Sequence, residues 1–282
     1  MTHSQCLRFG KEAWAILSDI ERSIKEKVEA VGVPLKDWDV EIYRGVLTGY
    51  NDAFIISSEK RNEILENCAD DNERERTSAI IRPILRGRDI VRYKYNWADL
   101  WLINTHNGVK DKEDRIHIED YPSVKQHLDN HIDKIKSRAD KGDTPYNLRN
   151  CAYLDEFSKP KIVWGNLNTH ASFALAPQGM YINAPACMIV PSSNYLLSIL
   201  NSKVADYYIR TLGVVRNGGF FEYKPMFIEN LPIPNVAPEQ LREFDAIYAS
   251  DLPMADKDSR IQDIINAIYG LTEDEINYLQ SI

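Results

Sequence analysis

The apolar residues of this 282-residue chain change period near residue 39, and no single class of secondary structure accommodates both periods. Up to that point Trp14, Leu17, Ile20, Ile24, Val28 and Val31 recur three and four apart, which gathers them on one face of an α-helix. Gly32 and Pro34 then stop the helix, glycine as a C-terminal residue and proline because it cannot continue the ladder. A lone helix leaves its stripe uncovered, so another element must pack on it, and a missing part of a larger protein is one candidate.

Beyond residue 39, Val40, Ile42 and Val46 alternate with polar neighbours and residues 53–56 form a short apolar run, predicting two strands joined at Thr48 and Gly49. A helix is expected over 59–68, then a charged loop. Strand-like runs follow at 90–95 and 100–104, rich in aromatic and β-branched residues. Val124, Leu128, Ile132 and Ile135 restore helical spacing over 122–138. Residues 161–190 carry short apolar segments parted by Gly, Asn and Pro, which predicts strands, and 196–208 reads as a helix with Leu196, Leu197, Leu200, Val204 and Tyr208 inward. Gly218 and Gly219 interrupt the chain before a strand at 220–223, and Pro232 with Pro234 predicts an extended linker. Three short helices are expected over 241–248, 261–269 and 274–279, with Asp258 or Ser259 capping the second and Thr272 with Glu275 forming a capping box on the third. The class is α+β: a mixed or largely antiparallel β-rich domain over 39–234, an N-terminal helical linker over 1–38 and a C-terminal helical segment over 235–282.

Charge bears on which partners are admissible. The net charge of −8 opposes binding to a polyanion, which depends on clustered Lys and Arg. It is, however, unevenly spread. The last 48 residues hold ten acids and three bases and the first 41 hold eight and six, leaving +1 for the middle. Within that middle, residues 82–94 bring Arg82, Arg86, Arg88, Arg92 and Lys94 against Asp89 alone. Such a run makes either an anion-binding surface or a solvated face of salt bridges. Cys6, Cys68, Cys151 and Cys187 form no C-x-x-C pair, so neither a zinc ribbon nor a disulfide framework is indicated and a reducing, cytoplasmic setting is expected. The sequence has no apolar run of about 18 residues and no signal-peptide core, so no membrane partner is expected.

The phosphate-binding G-x-x-x-x-G-K-[ST] loop, H-E-x-x-H and G-x-S-x-G are absent. His127 and His131 lie four apart on a predicted helix, but no third metal ligand has suitable spacing. Glu222, Tyr223 and Lys224 have the E-x-K order of many metal-dependent nucleases, without a convincing upstream Asp. Neither a Gly-rich cofactor turn nor an Asn-Pro-Pro-Tyr-type loop for a flipped adenine occurs.

Three stretches together resemble the C-terminal specificity domain of TaqI-like and type IIG restriction-modification enzymes. They are Arg44 to Phe54 (RGVLTGYNDAF), Ile81 to Ile90 (IRPILRGRDI) followed by Arg92, Tyr93 and the strand at 101–103, and a third running from Lys141 and Gly142 through Tyr146, Leu148, Arg149 and Phe157 to Ile162. Ile199 to Lys203, Gly218 with Gly219, and Leu231 to Pro234 also fit, as do Pro34, Leu35 and Trp38 before the domain and Tyr269 to Thr272 after it. The resemblance implies target recognition on double-stranded DNA by residues 39–234. Methyl transfer from S-adenosylmethionine to adenine would fall to an upstream methyltransferase domain, and no cofactor is expected on this chain.

Such recognition needs cations that hold phosphates and planar donors that read base edges. Arg86, Arg88, Lys141 and Lys224 are the expected phosphate contacts. Asn51, Arg149, Asn166 and Arg216 are the expected base readers, because Arg matches guanine O6 and N7 and Asn matches adenine N6 and N7. Gly45, Gly49 and Gly87 are read as tight turns and Trp97, Trp101 and Trp164 as core. One of Arg86 and Arg88 is expected to pair with Asp89. Two other readings stand beside this one: a subunit-docking module that uses the amphipathic helix and acidic tail, and a nuclease that uses Glu222 and Lys224.

Overall fold

The computed structural model describes residues 17–213 and 215–282; Trp14 and Cys6 lie outside them. Its centre is a four-stranded antiparallel sheet in the order Phe173–Ala176, Lys161–Trp164, Cys187–Val190, Glu41–Arg44. Successive side chains on a strand point to opposite faces, and here each face meets its own core. Ile162, Trp164, Phe173, Cys187 and Ile189 enter one apolar cluster, while Val163, Ala174 and Met188 enter the other. A sheet covered on both faces needs apolar residues at nearly every position, which is why Phe173–Ala176, Lys161–Trp164 and Cys187–Val190 read as near-continuous runs, whereas the edge strand Glu41–Arg44 does not.

The first cluster is closed by helices. The segment expected as one helix over 196–208 is two, Asn194–Leu200 and Lys203–Leu212, with Ser202 capping the second. Asn201 causes the break. Its side-chain amide exchanges hydrogen bonds of 3.0 Å with both the N–H and the carbonyl of Phe173, as a neighbouring strand would. The amphipathic helix, Asp19–Val31 among the described residues, is capped by Ser18 and Glu21 and buries Ile24 and Val28 in the same cluster. The middle of its stripe is therefore covered from within the chain, by the strand Pro232–Pro234 and the helix Glu273–Ser281, while Val31 at its end is exposed. Ser23 and Lys27 both reach Glu275 at 2.6 Å. The Pro-x-Pro segment is extended as expected but is no exposed linker: all three residues are buried and pair with Gly32–Pro34. The C-terminal helices are Pro238–Ala249, Met254–Ile268 and Glu273–Ser281. Thr272 and Glu275 form the expected capping box, but Asp258 caps nothing: it lies inside the second helix, where it receives Arg92.

The second cluster lies under a smaller sheet ordered Tyr181–Ile182, Ile81–Leu85, Leu100–Ile103, Ile55–Ser57, whose first pair is parallel and the rest antiparallel. The hairpin expected at Thr48 and Gly49 does not form. Residues 41–44 join the central sheet and 55–57 the smaller one, so this turn carries the chain between sheets. The charged loop after residue 68 is instead a helix, Asp71–Ile80. Asp70 accepts the Glu73 amide at its start, and buried Glu73 accepts the backbone N–H groups of Ala69 and Ser123. Capping by polar side chains thus supplies what apolar periodicity did not. The helix expected over 122–138 is interrupted at residues 130–131, giving Pro122–Asp129 and Ile132–Ser137.

Burial pushes the Glu275 carboxyl up, but the bonds from Lys27, Ser23 and the Thr272 amide outweigh it and hold it at about 2. A depressed carboxylate stabilises the fold above its unfolded pKa, and that stability is lost as pH falls through the folded value. We expect urea midpoints to drop between about pH 4.5 and pH 2, and Glu275→Gln to remove on the order of 2 kcal/mol of that dependence.

Candidate nucleic-acid interface

Strands from both sheets end at one cleft of about 870 Å³. Ile81–Leu85 runs into residues 86–88, Lys161–Trp164 into 165–167, and the turn at 183–186 precedes Cys187–Val190. The two sheets close on each other because Gly87 and Gly165 meet backbone to backbone. A Cβ built on Gly165 would lie 3.1 Å from the Gly87 carbonyl oxygen. Asn51, Arg216, Asn217, Glu222 and Lys224 complete the walls.

Six of the eight residues singled out by sequence line this cleft: Asn51, Arg86, Arg88, Asn166, Arg216 and Lys224. Their states differ. Arg86 is half-buried and forks onto Asp89, with Nη2 to Oδ1 at 2.7 Å and Nε to Oδ2 at 3.0 Å, while its own N–H bonds Oδ2 at 2.8 Å. The hydrogen bond to Asp89 raises the guanidinium pKa. Arg86 is thus the structural member of the pair flanking Gly87. Arg88 is exposed and makes no ion pair among the described residues.

On the opposite wall one buried carboxylate holds two cations. Glu222 accepts Arg216 Nε at 2.6 Å and pairs with Lys224 Nζ at 2.9 Å. Lys224 and then Arg216 keep its carboxyl below the usual carboxylate range. The intervening Tyr223 points the other way, fully buried, its carbonyl accepting the Trp164 indole N–H at 2.7 Å and its hydroxyl bonded to Asp206. Trp164 is core, as expected, and its bond ties the Glu222 strand to the central sheet. Tyr223 N–H donates to the Asn166 carbonyl at 2.8 Å, which seats Asn166 beside this wall.

Asn51 is exposed, its Oδ1 fixed by the Thr48 hydroxyl at 2.5 Å. The remaining two candidates, Lys141 and Arg149, do not line the cleft. Lys141 bonds the Lys136 carbonyl and Arg149 pairs with Asp140 at 2.9 Å. Their loop is nevertheless tied to the cleft's rim by Arg138, which is buried and donates to the carbonyls of Thr48, Pro145 and Asn147 with its guanidinium 4.3 Å from the Phe54 ring. Burial pushes Arg138 down to about 10. Sequence reading missed Arg138, along with Asn183 and Asn217 on the cleft walls. The interrupted spacing between 44 and 54 held no signal of what would pin it.

The basic run over 82–94 does not form one positive face. Arg92 turns to the C-terminal helices, reaching Asp258 and the Asn201 carbonyl at 2.7 and 2.9 Å, and Arg82 and Lys94 are exposed outside the cleft. His127 hydrogen-bonds the Ala53 carbonyl at 2.9 Å, and among the described residues no three His, Cys, Asp or Glu side chains gather in a metal-binding group. No helix among these residues is long and apolar enough to cross a membrane.

A family model described as the TaqI-like C-terminal specificity domain matches residues 82–233. No curated protein matches the sequence. Among solved structures, the chain is similar to the type IIL restriction-modification enzyme MmeI in complex with DNA, with a TM-score of 0.65 and 11% identity over 88% of this chain and 35% of that one. It is also similar to the type IIG restriction endonuclease BpuSI, with a TM-score of 0.50 and 15% identity over 89% of this chain and 32% of that one. At these identities the likeness is one of fold, and the chain spans about a third of either protein's length.

Removing Arg86 would strand a buried carboxylate, whereas removing Arg88 strands nothing. Arg86→Ala is expected to lower unfolding stability by ~2 kcal/mol or more, and Arg88→Ala to leave it within ~0.5 kcal/mol, in urea titrations at neutral pH.

Proposed function

The chain belongs to the family of TaqI-like C-terminal specificity domains, and from that premise we propose that it reads a target sequence in double-stranded DNA for a restriction-modification enzyme, with the cleft as its reading surface. The observation that carries this reading is the convergence of Arg88, Arg216, Lys224, Asn51 and Asn166 on one cavity from four separate stretches of chain. The exposed Arg88 guanidinium and the Lys224 ammonium suit phosphates, and the held Arg216 guanidinium with the neighbouring amides suits base edges. MmeI is described in complex with DNA, which agrees with this reading. Lys141 and Arg149 are exposed, and an exposed pair is worth at most about 1 kcal/mol, so both can turn to the backbone of a bound duplex beyond the rim. Methyl transfer from S-adenosylmethionine belongs, in this reading, to a separate upstream domain, and the setting is the bacterial cytoplasm.

On the docking reading the basic run divides, Arg86 and Arg92 being paired with Asp89 and Asp258 and Arg88 making no ion pair among the described residues. Ile24 and Val28 of the N-terminal helix, offered there as part of a partner's seat, are covered by the chain's own C-terminal helix and Pro-rich strand, while Val31 is left exposed. The nuclease reading is disfavoured by geometry, because the Glu222 carboxylate is taken up by two cations.

A filter-binding titration over a salt series tests the proposal. Arg88→Ala and Lys224→Ala should each lower the slope of log affinity against log salt by about one, and Arg216→Ala should relax sequence choice at one base pair. Unchanged slopes in both cation variants would contradict the assignment.

A further inference from the structure

Beside the cleft stands a small antiparallel sheet of Val215–Arg216, Phe220–Glu222 and Leu167–Asn168, with Arg216 opposite Phe220 and Glu222 opposite Leu167. Directly opposed residues share a face, as do residues two apart on a strand. Arg216, Phe220, Glu222 and Leu167 therefore stand on one face, and Val215, Phe221 and Asn168 on the other. The second face is anchored, since Phe221 packs on the first core cluster with the Arg210 guanidinium 4.3 Å from its ring. The first lends Leu167, Arg216 and Glu222 to the cleft wall, and Phe220 stands on the same face beyond that lining.

On that face, among ions, Leu167 is 52% and Phe220 42% exposed. About half of each is thus left uncovered by the described residues. The connection through Asn217, Gly218 and Gly219 turns with φ of +81° and +76° at the two glycines, and a Cβ built on Gly219 meets nothing within 4 Å. The turn at Gly219 is thus open to solvent at the edge of the cleft, and a two-stranded ribbon such as the hairpin of Val215–Arg216 and Phe220–Glu222 fits the major groove of B-form DNA. Leu167 lines the cleft with Arg216, Lys224 and Arg88, and Phe220 is paired opposite Arg216 on the same face, a pattern complementary to bases flanked by phosphates.

We propose that this ribbon enters a DNA groove and lays Phe220, backed by Leu167, against base edges as an apolar specificity contact. The inference rests on the proposed DNA-reading function and deepens it. Apolar side chains read chiefly the thymine methyl, so the contact adds discrimination without adding charge.

The test uses the full chain and a pool of randomised duplexes, from which the wild type first selects its preferred sequence. Phe220→Ala should bind that selected duplex about tenfold more weakly, yet match the wild type on the unselected pool and in salt slope, while Phe220→Trp should retain most of the affinity. Equal affinity of Phe220→Ala for the selected duplex would overturn the inference, as would an equal loss on selected and unselected DNA. So would unchanged DNA binding with lost self-association by sedimentation, which would give the patch to a second copy of the chain. A wild type that enriches no sequence would instead sink the underlying functional reading, a result separable from all of these.

Discussion

The central sheet is buried on both faces, and this constraint organises everything else. Because Ile162, Trp164 and Ile189 look one way and Val163 and Met188 the other, the strands cannot shift register by one residue without exchanging two complete cores. Their ends are therefore fixed, and with them the loops that build the cleft. Two further ties convert this rigidity into site geometry. The Trp164 indole holds the Tyr223 carbonyl, which sets the Glu222 wall, and the Gly87–Gly165 contact sets the opposing loop. Sites carried by rigid elements hold their geometry better than sites on free loops.

Electrostatics at the site is local. A chain of net charge −8 presents cations at the cleft because its acids are concentrated in the flanks, where Asp258 and Glu275 engage Arg92 and Lys27 within the fold. Glu222 is the informative exception. By holding Arg216 and Lys224 on one buried carboxylate, it sacrifices some positive potential but orders two long side chains, so less conformational entropy remains to be lost when an anion arrives.

The sequence was most legible where a pattern depends on local physics. The amphipathic helix, the capping box of Thr272 and Glu275, the β-rich middle and the α+β class are all visible in spacing. The ordered motifs at Arg44, Ile81 and Lys141 pointed to the family. It was least legible where a long-range contact overrode local preference. Asn201 breaks a helix to pair with Phe173, buried Glu73 steadies a helix with little apolar pattern, and the turn at Thr48 and Gly49 crosses between sheets where Arg138, 90 residues on from Thr48, holds the Thr48 carbonyl. The same holds for charge. Arg86, Arg88 and Arg92 look alike in sequence, yet one forks onto Asp89, one is free of ion pairs among the described residues and one fastens the C-terminal helices. Six of the eight candidate residues nevertheless converge: Asn51, Arg86 and Arg88 come from the first two motifs, Asn166, Arg216 and Lys224 from loops and a short strand outside them, while the third motif's Lys141 and Arg149 stay off the cleft.

The central claim is that one cleft, and not the basic run as a whole, meets the duplex. Ultraviolet crosslinking of the chain to its preferred DNA, with the attached peptides identified by mass spectrometry, addresses this directly. The account predicts adducts within residues 86–88, 165–167, 183–186 and 215–224. Adducts confined to the C-terminal helices, or to the surface around Arg82 and Lys94, would contradict it.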